Sequence, residues 1–103
     1  MPREQLQTLS EPMYYILLAL KEECCGVDIM RKVEDISHGR LVVGPGTLYA
    51  LLDKFQKSGL IYETKVDGRK RSYIISESGY EVLKKEYHRL ITMAEEGKTI
   101  LER

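Results

Sequence analysis

With 103 residues, 43% of them hydrophobic, the chain has material for one modest core, and a partner chain would add to it. Its 16 Lys and Arg balance its 16 Asp and Glu, which excludes a polybasic coat and leaves the local distribution of charge as the informative quantity. No run approaches the roughly 20 apolar residues of a membrane span, and the N-terminus lacks the charged-then-apolar plan of a signal peptide, so a cytoplasmic protein without membrane contact is expected.

A polar arm runs from Met1 to about Ser10, after which Glu11-Pro12 opens a helix whose Met13, Ile16, Leu17 and Leu20 repeat with helical spacing. Gly26 breaks the chain after Cys24 and Cys25. A second helix follows, with Ile29, Val33 and Ile36 on one face and Arg31, Lys32, Glu34 and Asp35 elsewhere. His38-Gly39 ends it. The apolar stretch Leu41-Val42-Val43 is expected to add a small strand to a sheet formed further on, giving the order helix, helix, strand, helix, hairpin.

The third helix begins abruptly. Proline tolerates the first helical turn, where its missing N–H is not needed, and Gly44 at the cap position lets the chain in without steric cost. Leu48, Leu51, Leu52 and Phe55 then form one buried stripe, with Ser58-Gly59 as the stop. Away from that stripe lie Thr47, Ala50, Lys54 and Lys57, a face small at the N-terminus and basic further along. Such a face suits a helix that enters a DNA groove with its lysines beside phosphates. Backbone N–H groups of Gly46, Thr47, Leu48 and Tyr49 and the hydroxyls of Thr47 and Tyr49 suit phosphate, and the threonine methyl suits a thymine methyl.

Leu60 to Val66 and Arg71 to Ile75 are rich in β-branched and aromatic residues, and Asp67-Gly68 between them signals a hairpin turn. Its tip, Asp67-Gly68-Arg69-Lys70-Arg71, carries three consecutive cations able to follow a phosphate backbone or reach a minor groove. Between Arg40 and Tyr73, seven cations (Arg40, Lys54, Lys57, Lys65, Arg69, Lys70 and Arg71) face only Asp53, Glu63 and Asp67. A core-packed helix followed by a basic hairpin is the reading half of a winged helix-turn-helix.

From Tyr80 the positions Tyr80, Leu83, Tyr87, Leu90, Ala94, Gly97 and Leu101 alternate steps of three and four, a heptad seam. A helix from about Ser78 to Glu102 would be about 38 Å long. Its far end would carry Leu90, Ile91, Ile100 and Leu101 into water, so a second copy of the chain is expected to cover it, with Ala94 and Gly97 allowing close approach.

The adjacent cysteines fit neither a disulfide framework nor zinc-ligand spacing, and His38 and His88 lack companions for a metal. No Ser/His/Asp or paired-carboxylate grouping suggests catalysis, so no enzyme, cofactor or metal is expected.

These residues resemble the PadR-like transcriptional regulators, specifically short members with one C-terminal helix. The resemblance rests on Met13 to Leu20, Gly44 to Tyr49, Gly59-Leu60-Ile61, Asp67 to Tyr73, and Ser76-Glu77-Ser78-Gly79, and covers nearly the whole chain. It implies a homodimeric repressor that pairs through its C-terminal helices and answers to small aromatic compounds. Many members carry His-Gly-Tyr where this chain has Cys25-Gly26-Val27, and the chain holds no tryptophan, so any stacking on an aromatic inducer falls to tyrosines such as Tyr14, Tyr15 or Tyr87.

The expected fold is α+β, mainly α: a winged helix-turn-helix over residues 1–76 with a two- to three-stranded wing, and a C-terminal dimerisation helix over 77–103. The expected partner is double-stranded DNA, at a pseudo-palindromic operator. The DNA-binding residues are Pro45, Gly46, Thr47, Tyr49, Ala50, Lys54, Lys57, Gly68, Arg69, Lys70 and Arg71. Dimerisation falls to Tyr80, Leu83, Tyr87, Leu90, Ile91, Ala94, Gly97 and Leu101. The alternatives are a winged-helix module that binds another protein, and a thiol- or ligand-responsive switch dimer in which DNA binding is secondary.

Overall fold

A computed structural model describes residues 8–103; residues 1–7 of the expected polar arm lie outside the described residues. The elements are α1 (Glu11–Ala19), β1 (Cys24–Cys25), α2 (Gly26–Ile36), α3 (Pro45–Lys57), β2 (Ile61–Asp67), β3 (Lys70–Ile75) and α4 (Glu77–Leu101). Ser10 caps α1, its hydroxyl accepting from the Met13 N–H, and Ile16, Leu17 and Leu20 are fully buried. In α2 the buried stripe is Ile29 and Val33. Ile36, expected on that face, is 41% exposed and lines an open groove with Leu18 and Ala19 at the end of α1.

Both inner helices end the same way. In α2, His38 takes the left-handed conformation (φ 56°), the His38 N–H bonds the Asp35 carbonyl and the Gly39 N–H the Glu34 carbonyl. In α3, Gly59 takes that conformation (φ 74°), and the Gly59 and Leu60 N–H groups bond the Gln56 and Phe55 carbonyls. These are Schellman endings, which satisfy the last carbonyls and turn the chain sharply.

The sheet corrects two expectations. Its order is β1-β3-β2, all antiparallel, with Cys24 opposite Tyr73 and Cys25 opposite Ser72. The third strand is thus the cysteine pair, and Leu41-Val42-Val43 is not a strand. The Ser37 hydroxyl accepts from the Leu41 N–H at 3.0 Å and lies 3.3 Å from the Leu41 carbonyl, so the Leu41 backbone is held locally by a side chain and not in a ladder. Val43 is nevertheless buried, as a plug in the core. The hairpin turn also lies one residue later than expected: Asp67 pairs with Lys70, leaving Gly68 and Arg69 as the two-residue loop. Gly68 at φ 63° in the first loop position is the arrangement of a type II′ turn. Asp67 therefore ends β2, and Lys70 and Arg71 belong to β3. A bulge at Thr64 shifts the register between Glu63 and Lys65.

Ser76 joins the sheet to α4. Its hydroxyl accepts from the Gly79 N–H at 3.0 Å and donates to the Gly59 carbonyl at 2.7 Å. The first half of α4 packs on α1 and, at Gly79, against Leu60 and Ile75, burying Gly79, Leu83 and Glu86, and beyond Arg89 it runs out from the fold. The molecule measures 56 × 38 × 21 Å, elongated for its length.

Candidate nucleic-acid interface

The buried Leu48, Leu52 and Phe55 anchor α3, which fixes what its other face presents. Gly46, Thr47, Ala50, Lys54 and Lys57 are all exposed, as is Pro45. Lys57 is already engaged, its Nζ 3.0 Å from the Asp53 carboxylate, whereas Lys54 has no ion pair among the described residues. Tyr49 is 47% exposed and leans back across α2: a Cβ built on Gly26 would lie 2.2 Å from its hydroxyl oxygen. Gly26 is therefore the seat of the Tyr49 ring, a contact between the start of α2 and α3.

In the wing, Arg69 and Lys70 are exposed and have no ion pair among the described residues. Arg71 differs: its Nη1 lies 3.2 Å from Glu63 Oε2, a buried oxygen with no well-angled hydrogen bond of its own. A groove of about 400 Å³ between α3 and the wing is lined by Tyr49, Leu52, Asp53, Gln56, Arg69, Arg71 and Tyr73. Burial, and then the nearby Glu63 carboxylate, raise the Tyr73 phenol above its ordinary pKa. The groove joins Tyr49 to two of the wing cations. It also adds Asp53, Gln56 and Tyr73, which sequence reasoning missed, although Asp53 and Gln56 follow Tyr49 at i+4 and i+7 on one helix face.

The α4 positions divide. Leu83 is 5% exposed and belongs to the core of its own chain, where Val82 and the α1 residues surround it. Tyr80 is half-covered, with the ammonium groups of Lys84 and Lys21 at 4.8 and 5.3 Å from its ring. Tyr87, Leu90, Ile91, Ala94 and Leu101 are exposed, Leu101 at 84%, and Gly97 is partly covered.

Of the tyrosines expected to face a ligand, two come together. Tyr14 and Tyr87 line a groove of about 320 Å³ between α1 and α4, with Leu18, Tyr80, Leu83, Lys84 and His88. Tyr15 is not in it. It lines the neighbouring groove with Leu9, Glu11, Glu86, Arg89 and Leu90, which Tyr14 shares. Burial pushes the Tyr14 phenol above its ordinary pKa.

The cysteines point to opposite sides of β1. Cys24 is buried and its thiol pKa is raised, chiefly by burial, while Cys25 Sγ donates to the Asp28 carboxylate at 3.4 Å. Among the described residues no group of three His, Cys, Asp or Glu could hold a metal ion, and no helix is long and apolar enough to cross a membrane.

No curated protein sequence matches this chain. Among solved structures, a PadR-like transcription factor from Bacteroides fragilis is 26% identical, with 86% of this chain and 88% of that one covered and a TM-score of 0.73. RosR from H. salinarum is 23% identical over 95% of this chain and 94% of its own, also at a TM-score of 0.73. A PadR family transcriptional regulator from Eggerthella lenta, 18% identical, covers 87% of this chain and 77% of its own at the same score. These likenesses establish the winged-helix fold with a long C-terminal helix. The family described as transcriptional regulator PadR-like matches residues 16–85, most of the chain, and so this protein belongs to the PadR-like family of transcriptional regulators.

Proposed function

We propose that the protein is a homodimeric repressor of cytoplasmic transcription that binds a pseudo-palindromic operator in double-stranded DNA. The observation that carries this reading is the groove between α3 and the wing, where Tyr49 and Gln56 of α3 face Arg69 and Arg71. Beside it Thr47, Ala50 and Lys54 of the same helix are exposed, as are Arg69 and Lys70, which have no ion pair among the described residues. In this reading α3 enters a major groove, and the wing grips flanking phosphates. Pro45, Gly46 and Gly68 serve through their backbone, Tyr49, Lys57 and Arg71 border the contact, and no catalytic step is involved.

Residues 1–76 act as the DNA-binding unit and 77–103 as the dimerisation helix. Pairing through Tyr87, Leu90, Ile91, Ala94, Gly97 and Leu101 sets two α3 helices about 34 Å apart, one turn of DNA. The groove between Tyr14 and Tyr87 is the place for a small aromatic inducer, which would act through its differential affinity for two dimer geometries.

The test is binding to a site selected from random duplex DNA, measured across salt, for wild type and for the double variant Arg69→Ala, Lys70→Ala. Loss of two phosphate contacts lowers the slope of log affinity on log salt by about 1.8. An unchanged slope removes the wing from the contact. Affinity that never rises above that for random duplex favours the protein-binding alternative.

A further inference from the structure

Residues 40–44 carry no regular secondary structure, yet they deliver α3 to its place. Two holds on this segment are the Ser37 hydroxyl on Leu41 and the buried Val43. The third is Arg40, which charge alone assigns to the DNA-facing cations. Its guanidinium is occupied inside the molecule instead: Nη1 pairs with the Glu11 carboxylate and Nη2 donates to the Tyr15 hydroxyl at 3.1 Å. The guanidinium carbon lies 5.7 Å from the Tyr15 ring centroid.

A single exposed ion pair contributes little to stability, and the Arg40 side chain is 56% exposed. Its value lies in geometry. A planar fork held by a carboxylate, a hydroxyl and a ring has its direction fixed in a way that a lysine ammonium does not reproduce. Both anchors stand on α1. Tyr15 in turn meets Tyr14 edge to face, ring centroids 5.7 Å apart at 79°, and Tyr14 lines both grooves against α4. Contacts thus run without a gap from α4 through Tyr14, Tyr15 and Arg40 to the segment that starts α3.

We infer that Arg40 is a positioning residue: held by Glu11 and Tyr15, it fixes the start of α3 relative to α1 and thereby the distance between the two DNA-reading helices of a dimer. The spacing half of this statement rests on the function proposed above. The clamp itself does not.

The experiment uses the full chain as wild type, Arg40→Ala and Tyr15→Phe, the second removing only the hydroxyl. Amide hydrogen exchange is read first, at Leu48, whose N–H bonds the Gly44 carbonyl. Both variants are expected to exchange at least about fivefold faster there, with Leu52 and Leu83 unchanged. Binding is then measured across salt to the selected duplex and to versions one base pair longer and shorter between half-sites. Arg40→Ala is expected to lose about tenfold at the selected spacing, to bind the three spacings within about twofold of one another, and to keep the wild-type salt slope. A slope lower by about one makes Arg40 a phosphate contact and overturns the inference. So does wild-type exchange at Leu48. If wild type shows no preference for the selected duplex over random DNA, the repressor reading and the spacing statement fall together, while the exchange result still decides the clamp.

Discussion

At Gly79 the missing side chain is what lets α4 dock. A Cβ there would lie 2.1 Å from the Leu60 carbonyl oxygen and 2.8 Å from the Ile75 side chain, and the first obstacle is backbone. Gly79→Ala is therefore expected to cost about 1–3 kcal/mol, seen as a lower urea midpoint with unchanged m-value. A second residue acts through charge. Glu86 is 3% exposed, and Arg89 Nε donates to its Oε1 at 2.9 Å. The Arg89 hydrogen bonds hold the Glu86 carboxyl below the usual carboxylate range; burial opposes this and the Leu9 backbone adds to it. A carboxyl depressed in the folded state contributes stability that is complete above its unfolded pKa of about 4.3 and is lost as pH falls through the folded value. Thermal melts from neutral to acid pH should show this loss in wild type and a flatter acid limb in Glu86→Gln. Neither role is written in the sequence: Gly79 stands in a recognisable motif without its reason, and Glu86 looks like any solvated carboxylate on a helix.

Among the elements, α3 and the wing were the most legible, because Gly44-Pro45, Ser58-Gly59 and Gly68 are local signals that need no partner to act. The third strand was illegible for the opposite reason. Leu41-Val42-Val43 has better strand composition than Cys24-Cys25, but pairing depends on what lies beside the free edge of β3, and the fold brings the cysteines there. The interface divides along the same line. Exposure of Thr47, Ala50 and Lys54 followed from helical period, whereas the pairing of Lys57 with Asp53 and of Arg71 with Glu63 withdraws part of the free charge of two expected cations whose side chains stay exposed. That withdrawal is reversible by design. Glu63→Gln frees Arg71 and adds one positive charge to the groove, so duplex DNA affinity at low salt should rise several-fold, and the salt slope should steepen by up to about 0.9. An unaltered slope means that Arg71 stays turned inward.

On the scale of the whole molecule, α4 is two helices in one. Its first half completes the core through Leu83, and its second half presents Leu90, Ile91, Met93, Ile100 and Leu101 to solvent. The heptad seam read from the sequence marks both halves alike, since a spacing of three and four does not say which chain fills the hole. Ile91→Asp touches only the exposed half. It is expected to shift the sedimenting mass at micromolar concentration from dimer to monomer while the winged domain keeps its melting temperature within a few degrees; a monomeric wild type would sink the pairing argument.

The short ladder of Cys24 and Cys25 on Tyr73 and Ser72 has a consequence in time as well as in space. The α1–α2 contacts are local and form early, but β1 must wait for a strand that lies nearly half the chain downstream, and closing such a loop is entropically slow. The wing is therefore attached to the helices late. During synthesis the helical half emerges first with one sheet edge unpaired, and the basic hairpin is fastened to that body only once Ser72 and Tyr73 have followed.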